Sequence, residues 1–249
     1  MAETVGVIGG GPAGIIAAGT AASNGRKVTL IEKNNKIGKK LYITGKGRCN
    51  ITNSSPIEDF FDNIVTNYQF LYSALYSFTN TDILNLLSKY GLKVKVERGN
   101  RVFPLSDKSS DVIKTFEKFL KDNGVEILFN FEVRNISKKG NKFMIMGKNG
   151  EKLFFDKIII CTGGKSYPST GSTGDGYNFA QNLGHRIIPL KPSLVPFETV
   201  ESWVKDLQGL TLKNVRLSAY SDGKKIYEDF GEMLFTHFGI SGPIVLTMS

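Results

Sequence analysis

The sequence has few of the residues that build metal centres and covalent cross-links. Cysteine occurs twice, at Cys49 and Cys161, in no C-x-x-C arrangement. That excludes a disulfide framework or a cysteine zinc site and suits a reducing cytoplasm. Histidine also occurs twice, at His185 and His237, too far apart in sequence to suggest a shared site, so no metal is expected. There is no run of about 18 apolar residues, which removes a transmembrane helix. Glu3 and the glycines from Gly9 to Gly14 interrupt any apolar core of a secretory leader. The expected location is therefore cytoplasmic, with no membrane partner. Negative charge is short too: 23 acidic residues face 32 basic ones, a net charge of +9.

What is present is enough apolar material for a core. Hydrophobic residues make up 41% of the 249, so global disorder is excluded, and the length fits one large domain or two smaller ones. Much of the positive charge is local. Arg26, Lys27, Lys33, Lys36, Lys39, Lys40, Lys46 and Arg48 stand against Glu32 alone over that stretch. A bound diphosphate would use part of this excess, and Lys138, Lys139 and Lys142 read as a solvated surface. Nucleic-acid binding is the weaker reading, because no RNA- or DNA-binding module accompanies the charge.

The most informative stretch is VGVIGGGPAGIIAAGTAASNGRKVTLIE, Val5 to Glu32. Val5 to Ile8 is a short apolar run of the kind a buried parallel strand shows. Gly9, Gly11 and Gly14 follow at G-x-G-x-x-G spacing, with Pro12 and Ala13 between the last two. In that pattern the first glycine makes the tight turn, the second admits a pyrophosphate, and the third lets helix pack on strand. A small-residue helix, Gly25 as its stop, and a second strand from Val28 to Ile31 complete a βαβ unit. Glu32 lies 18 residues past Gly14, where a carboxylate accepts from an adenosine ribose and disfavours a 2′-phosphate. The order of elements, more than the glycines alone, predicts dinucleotide binding at the helix N-terminus.

Residues 33–53, KNNKIGKKLYITGKGRCNITN, hold too much Gly, Asn and Lys for a regular element and read as an extended loop. Lys39 and Lys40 are candidate pyrophosphate contacts, and Gly45 and Gly47 would let the backbone pass close to a flat ring. Together, VIGGGPAGIIAA and EKNNKIGKKLYITGKGRCNITN resemble the bacterial HI0933-like flavoproteins, which include aminoacetone oxidases and BaiN-type bile-acid-pathway reductases. VERGNRVFP (residues 96–104), GGKSYPSTGSTGDGY (163–177) and GEMLFTHFGISGPIVL (231–246) match the same family's pattern. The resemblance implies an α/β fold: a glutathione-reductase-type, FAD-binding, Rossmann-like domain with a β-meander, interrupted by an inserted mainly β domain. It implies FAD as cofactor, with Lys33 beside Glu32 and with Thr44, Gly45, Gly47, Arg48, Cys49 and Asn50 running along the flavin. It also places Val133 at the adenine, and returns Thr162, Gly163 and Gly164 to the dinucleotide.

Further along, apolar residues recur at helical spacing from Phe60 to Leu87, reading as two or three helices broken near Asn67 and Asn80. Their aromatics fit core packing better than a ligand box. Lys93–Glu97 and Val102–Phe103 read as strands around a turn. Ser106 or Asp107 is expected to cap a helix over 110–122 that Gly124 ends. Strands follow at 125–129 and 131–137, then at 142–147 and 151–155 around Asn149-Gly150, and a second buried strand at 156–161. Asp175 reads as the cap of a helix over 177–183 that also meets the cofactor, in preference to a general acid or metal ligand. Pro189, Pro192 and Pro196 mark a boundary, giving an FAD-binding domain at 1–190 and the first part of the inserted substrate domain at 191–249. Thr236, His237 and Ser241 are its polar groups that could face a substrate, with His237 either an acid or a structural residue.

By the same resemblance, members of the family continue past this point and return a glycine-rich segment to the flavin, so a chain ending at Ser249 is expected to be a fragment. The function expected is an FAD-dependent oxidoreductase that moves hydride between flavin and a small organic substrate, with NAD(P)H as candidate donor. An NAD-binding dehydrogenase without flavin, a flavin-fold nucleic-acid-binding or tRNA-modifying protein, and a non-catalytic remnant are the alternatives. No catalytic residue is assigned, and the substrate and oligomeric state are unread.

Overall fold

A computed structural model describes residues 2–249. Two compact units divide the chain, residues 1–187 and 188–249, within three residues of the boundary that the prolines marked.

In the first unit, β1 (Thr4–Ile8) leads into α1 (Pro12–Ser23) and β2 (Lys27–Ile31). β1 is buried along nearly its whole length because β2 pairs with it in parallel on one side and a later strand on the other. α1 consists largely of small residues, which lets a later helix close on it. Next come α2 (Lys39–Gly47), β3 (Thr52–Asn53), α3 (Ile57–Asp62), α4 (Tyr72–Ser77) and α5 (Asn80–Lys89). α2 corrects the reading of 33–53 as loop throughout. Ile37, just before the Gly38 cap, and Leu41, in the first turn, both pack on the core and anchor a short helix despite its lysines and glycines. Thr44, Gly45 and Lys46 then leave helical geometry. α5 starts on a capping box in which Thr79 and Asp82 exchange hydrogen bonds.

β4 (Val94–Glu97) and β5 (Arg101–Pro104) form an antiparallel pair extended by β3. α6 (Ser109–Asp122) begins after Lys108 with no side-chain cap, correcting the caps expected from Ser106 or Asp107. Asp107 is instead drawn into ion pairs with Arg48 and Lys95. β6 (Glu126–Leu128), the antiparallel meander β7 (Val133–Lys139), β8 (Lys142–Gly147) and β9 (Lys152–Phe155), β10 (Lys157–Ile160) and α7 (Asp175–Asn182) complete the unit.

The parallel sheet has the order β10-β1-β2-β6. Helices α1, α5 and α6 cover one face, where Val7, Leu30, Ile113, Phe116 and Leu120 are buried. The meander covers the other, burying Ile31, Ile136, Ile145 and Phe155. Strand order reverses between β1 and β10, so the C-terminal ends of β1, β2 and β10 open into a crevice, the place where such sheets bind ligands.

The second unit is mainly β. β11 (Phe197–Glu198), β12 (Thr211–Ser221), β13 (Lys224–Phe235) and β14 (Gly239–Ser241) form one antiparallel sheet in the order β11-β14-β13-β12, followed by α8 (Pro243–Met248). Its long hairpin turns at Asp222-Gly223, both at positive φ, a pairing suited to a two-residue loop.

Candidate functional site

A cleft of about 510 Å³ lies at the strand ends, within the size range of small-molecule and cofactor sites. Its floor is the β1–α1 turn. Gly9 sits at φ +106, and a Cβ on Gly14 would overlap the Gly9 carbonyl oxygen, so helix and turn touch there as backbone. Gly11 differs: a Cβ there would meet no atom within 4 Å, because it faces the cleft. The first-turn amides of α1 have no intrahelical acceptors and are available to an anion.

Glu32 is 7% exposed, so its charge needs partners. Oε2 accepts the Gly10 N–H at 2.7 Å; Oε1 accepts the Asn34 N–H at 2.7 Å and its Nδ2 at 2.6 Å. A carboxylate has about four acceptor positions, so roughly one is left for a ligand hydroxyl. Glu32 thus holds the turn together while keeping an acceptor position at the cleft.

Lysines rim the cleft. Lys33 Nζ donates to Asp175 Oδ2 and to Thr173 Oγ1, each at 2.8 Å. Burial pushes Asp175 up, but the bonds from Lys33 and Thr173 outweigh it and hold the carboxyl below its ordinary range. Asp175 is therefore no helix cap; Gly174 occupies that position, without a side-chain bond. Lys39 Nζ donates to Asn34 Oδ1 at 3.1 Å and Lys40 Nζ to the Ser166 carbonyl at 2.8 Å, which ties residues 33–40 to the 163–175 loop.

Of the residues singled out from sequence, Gly9, Gly11, Pro12, Ala13, Glu32, Lys33, Lys39, Lys40, Val133, Thr162, Gly163 and Asp175 all line this cleft. Gly14 supports it from behind. Gly164 and Thr44, Gly45, Gly47, Arg48, Cys49 and Asn50 do not line it. Asn34, Phe131, Ser172 and Phe179 line it without having been singled out. Asn34 lies within the 33–53 stretch, two residues past Glu32, whereas Phe131 belongs to no motif and only the fold brings it to the strand ends.

The Thr44–Asn50 stretch forms a second constellation. Arg48 stacks 4.1 Å over the Phe103 ring and pairs with Glu97 at 2.8 Å and Asp107 at 3.3 Å. The bond to Glu97 is the main reason its guanidinium pKa lies above the usual value. Cys49 is fully buried at φ +67, and burial pushes its thiol up against a smaller opposing bond from Thr44. Burial raises the Cys161 thiol as well.

In the second unit, the Thr236 hydroxyl donates to the Gly239 carbonyl and accepts from the Phe238 and Gly239 amides. It closes a turn, in place of the substrate-facing role considered for it. His237 is exposed and packs edge-on against Phe238 at 4.8 Å.

The aromatic helices correct a further expectation. Phe61 is buried, but Phe70 is 85% and Tyr76 51% exposed, so much of that stripe lies outside the core. Helical spacing identifies a face without saying what covers it.

A parallel sheet with a glycine turn at its switch point, an acid ending β2 and a meander on one face define a Rossmann-type domain of the glutathione-reductase layout. A solved flavocytochrome c3 fumarate reductase in an open conformation shares the fold, at TM-score 0.59 and 19% identity over 85% of this chain and 47% of that one. Residues 3–242 match the HI0933-like protein Rossmann domain, and the chain belongs to that family. A 3-dehydro-bile acid delta(4,6)-reductase of Clostridium scindens is 32% identical over 98% of this chain and 59% of its own length. Ribosomal RNA dihydrouridine synthases of Haemophilus influenzae and Escherichia coli are 31% and 30% identical, again over 98% of this chain. The chain spans about 60% of the length of these curated relatives. Among the described residues no helix is long and apolar enough to cross a membrane, and no cluster of His, Cys, Asp or Glu could hold a metal ion.

Proposed function

We propose that the cleft binds FAD and that the chain is the flavin-holding part of an oxidoreductase that reduces a carbon–carbon double bond conjugated to a carbonyl. The observation that carries the reading is the open side of Gly11, which faces the cleft beside the free N-terminal amides of α1. The remaining acceptor position of Glu32 suits an adenosine ribose hydroxyl. Val133 and Phe131 offer apolar surface to an adenine, while Lys33, Lys39 and Lys40 offset diphosphate charge. The acid beside the ribose disfavours a 2′-phosphorylated dinucleotide here. Bound FAD would supply a hydride acceptor and donor, and the protein would orient it and exclude water. NAD(P)H is the external donor in this reading.

The choice of substrate class rests on the relatives. A bile-acid delta(4,6)-reductase and a dihydrouridine synthase both, by their names, add hydrogen across a ring double bond. The reaction would balance as one hydride, supplied by NAD(P)H by way of bound FAD, added to one carbon and one proton to the other, with NAD(P)⁺ as the oxidised product. In this reading the second unit belongs to the substrate domain, and residues 44–50 would help hold the flavin ring. The test is titration of the chain with FAD and, separately, NAD. FAD that binds with a red-shifted, vibrationally resolved absorbance band, displaced by ADP and not by NAD, fits the reading. A chain that stays colourless with excess FAD but binds NAD overturns it in favour of a nicotinamide dehydrogenase.

A second reading makes the substrate a uridine within RNA. The net charge of +9 and the two dihydrouridine synthases favour it. Reductase reactions on an RNA substrate and on a steroid-like enone, analysed by mass spectrometry for the gain of two hydrogens, separate the two. RNA affinity that falls steeply with salt would accompany this reading.

A further inference from the structure

One region of this basic chain has no positive charge at all. Residues 49–88 contain no Lys, Arg or His, yet hold Glu58, Asp59, Asp62 and Asp82. The same stretch folds around an aromatic pocket separate from the dinucleotide cleft. It has a volume of about 490 Å³ and is lined by Glu58, Phe61, Asp62, Tyr68, Tyr72 and Tyr76.

Phe61 forms its base, 9% exposed on α3. Tyr72 packs on it with ring centres 4.4 Å apart, and Tyr76, one turn on along α4, lies 5.7 Å from it. Tyr72 and Tyr76 are near-parallel at 6.3 Å, as i and i+4 on one helix allow, and Tyr68 meets Tyr72 edge-on at 5.8 Å. The Tyr76 hydroxyl lies 3.4 Å from Glu58 Oε1 and donates to it. Tyr68, Tyr72 and Tyr76 remain 38%, 41% and 51% exposed, so their rings present surface to whatever enters. A core cluster would bury them, whereas a solvated face would not gather four rings around a hollow.

We infer that this pocket binds a small organic cation bearing an ammonium or guanidinium group. The faces of aromatic rings are negative and attract cations, most strongly the weakly hydrated, methylated ones. Glu58 and Asp62 at the rim add attraction of the same sign, and no lysine or arginine from this stretch competes for the site. The same charges disfavour a phosphate-bearing ligand, which separates this pocket from the lysine-rimmed cleft. With its tyrosines part-exposed the pocket is screened, so binding is weak, in the millimolar range.

The experiment is an amide-resolved NMR titration of the chain with choline and, in parallel, with 3,3-dimethylbutan-1-ol, its uncharged isostere. Choline is expected to shift amides within residues 58–76 and to bind about five-fold more tightly than the alcohol. Glu58→Gln, at an exposed side chain, should weaken choline about two- to five-fold and leave the alcohol unchanged. Tyr72→Leu should weaken choline more, with circular dichroism confirming the fold. Equal affinity for the two isosteres would make this a plain apolar groove and overturn the inference. So would shifts in 58–76 produced by uridine 5′-monophosphate, which would mark a base-stacking surface, or no shifts with 100 mM choline. None of these outcomes depends on whether the cleft holds FAD.

Discussion

The two glycine-bearing turns of the first unit, Gly9–Gly14 and Gly45–Cys49, are shaped by different distances along the chain. In the first, most contacts come from within the βαβ unit: Gly14 packs on Gly9 and Glu32 holds Gly10, while Cys161 and Thr162 approach from far in sequence. In the second, Gly45, Lys46, Gly47 and Cys49 all take positive φ, and what holds them there comes from afar. Phe103 lies where a Cβ on Gly45 would be, and Glu97 and Asp107 grip Arg48. A turn braced from within its own unit carries its reason in its spacing; a turn braced by residues 49 or more positions away does not show in its own stretch what holds it.

Substitutions can break this contrast. Gly14→Ala is expected to do most damage, because the added methyl would overlap the Gly9 carbonyl and crowd the Cys161 side chain. A loss of about 3 kcal/mol in urea unfolding is expected, together with loss of FAD binding. Gly11→Ala sharpens the point: its backbone is extended and its Cβ space is open. Stability should stay within about 0.5 kcal/mol of the parent, while FAD affinity falls about ten-fold or more in a flavin titration. If Gly11→Ala bound FAD normally, the cradle would be in the wrong place.

Glu32→Gln comes next. It sets an amide group against donors that Glu32 now accepts, and Gly10 is buried there, so about 1–3 kcal/mol should be lost. FAD affinity should fall with it, as read by the same titration. Gly45→Ala should cost about 1–2 kcal/mol from left-handed strain and crowding against Phe103, with little change in ADP affinity at the distant cleft. Equal loss of ADP binding would show the two turns to be coupled.

The smallest effect concerns acid. Asp156 accepts from the Thr4 hydroxyl at 2.6 Å and the Thr4 amide at 2.9 Å, and these bonds hold its pKa at about 2. A carboxyl depressed in the folded state contributes stability above its ordinary pKa, and that contribution is lost as pH falls toward about 2. Asp156→Asn should therefore narrow the stability gap between pH 6 and pH 3, measured by thermal melts at both.

Legibility followed the same division. The βαβ fingerprint and the meander with its Asn149-Gly150 turn were readable, because strand period and turn chemistry are properties of short segments. The turn of α2 was not, since Ile37 and Leu41 outweigh a composition that otherwise argues for loop. Nor was the exposure of Tyr68, Tyr72 and Tyr76, because periodicity cannot show whether a face is covered.

The sequence by itself determined the glycine turn and its acid: steric rules at Gly9, Gly11 and Gly14 and the placing of an acid after β2 leave a pattern within one βαβ unit. Only the tertiary structure decided that Phe131 and Phe179 join that cleft, that Asp175 answers Lys33, and that Arg48 is held by Glu97 and Asp107. Those arrangements depend on which strands become neighbours in the sheet, and burial and pairing across such distances are set by the packing of the whole unit.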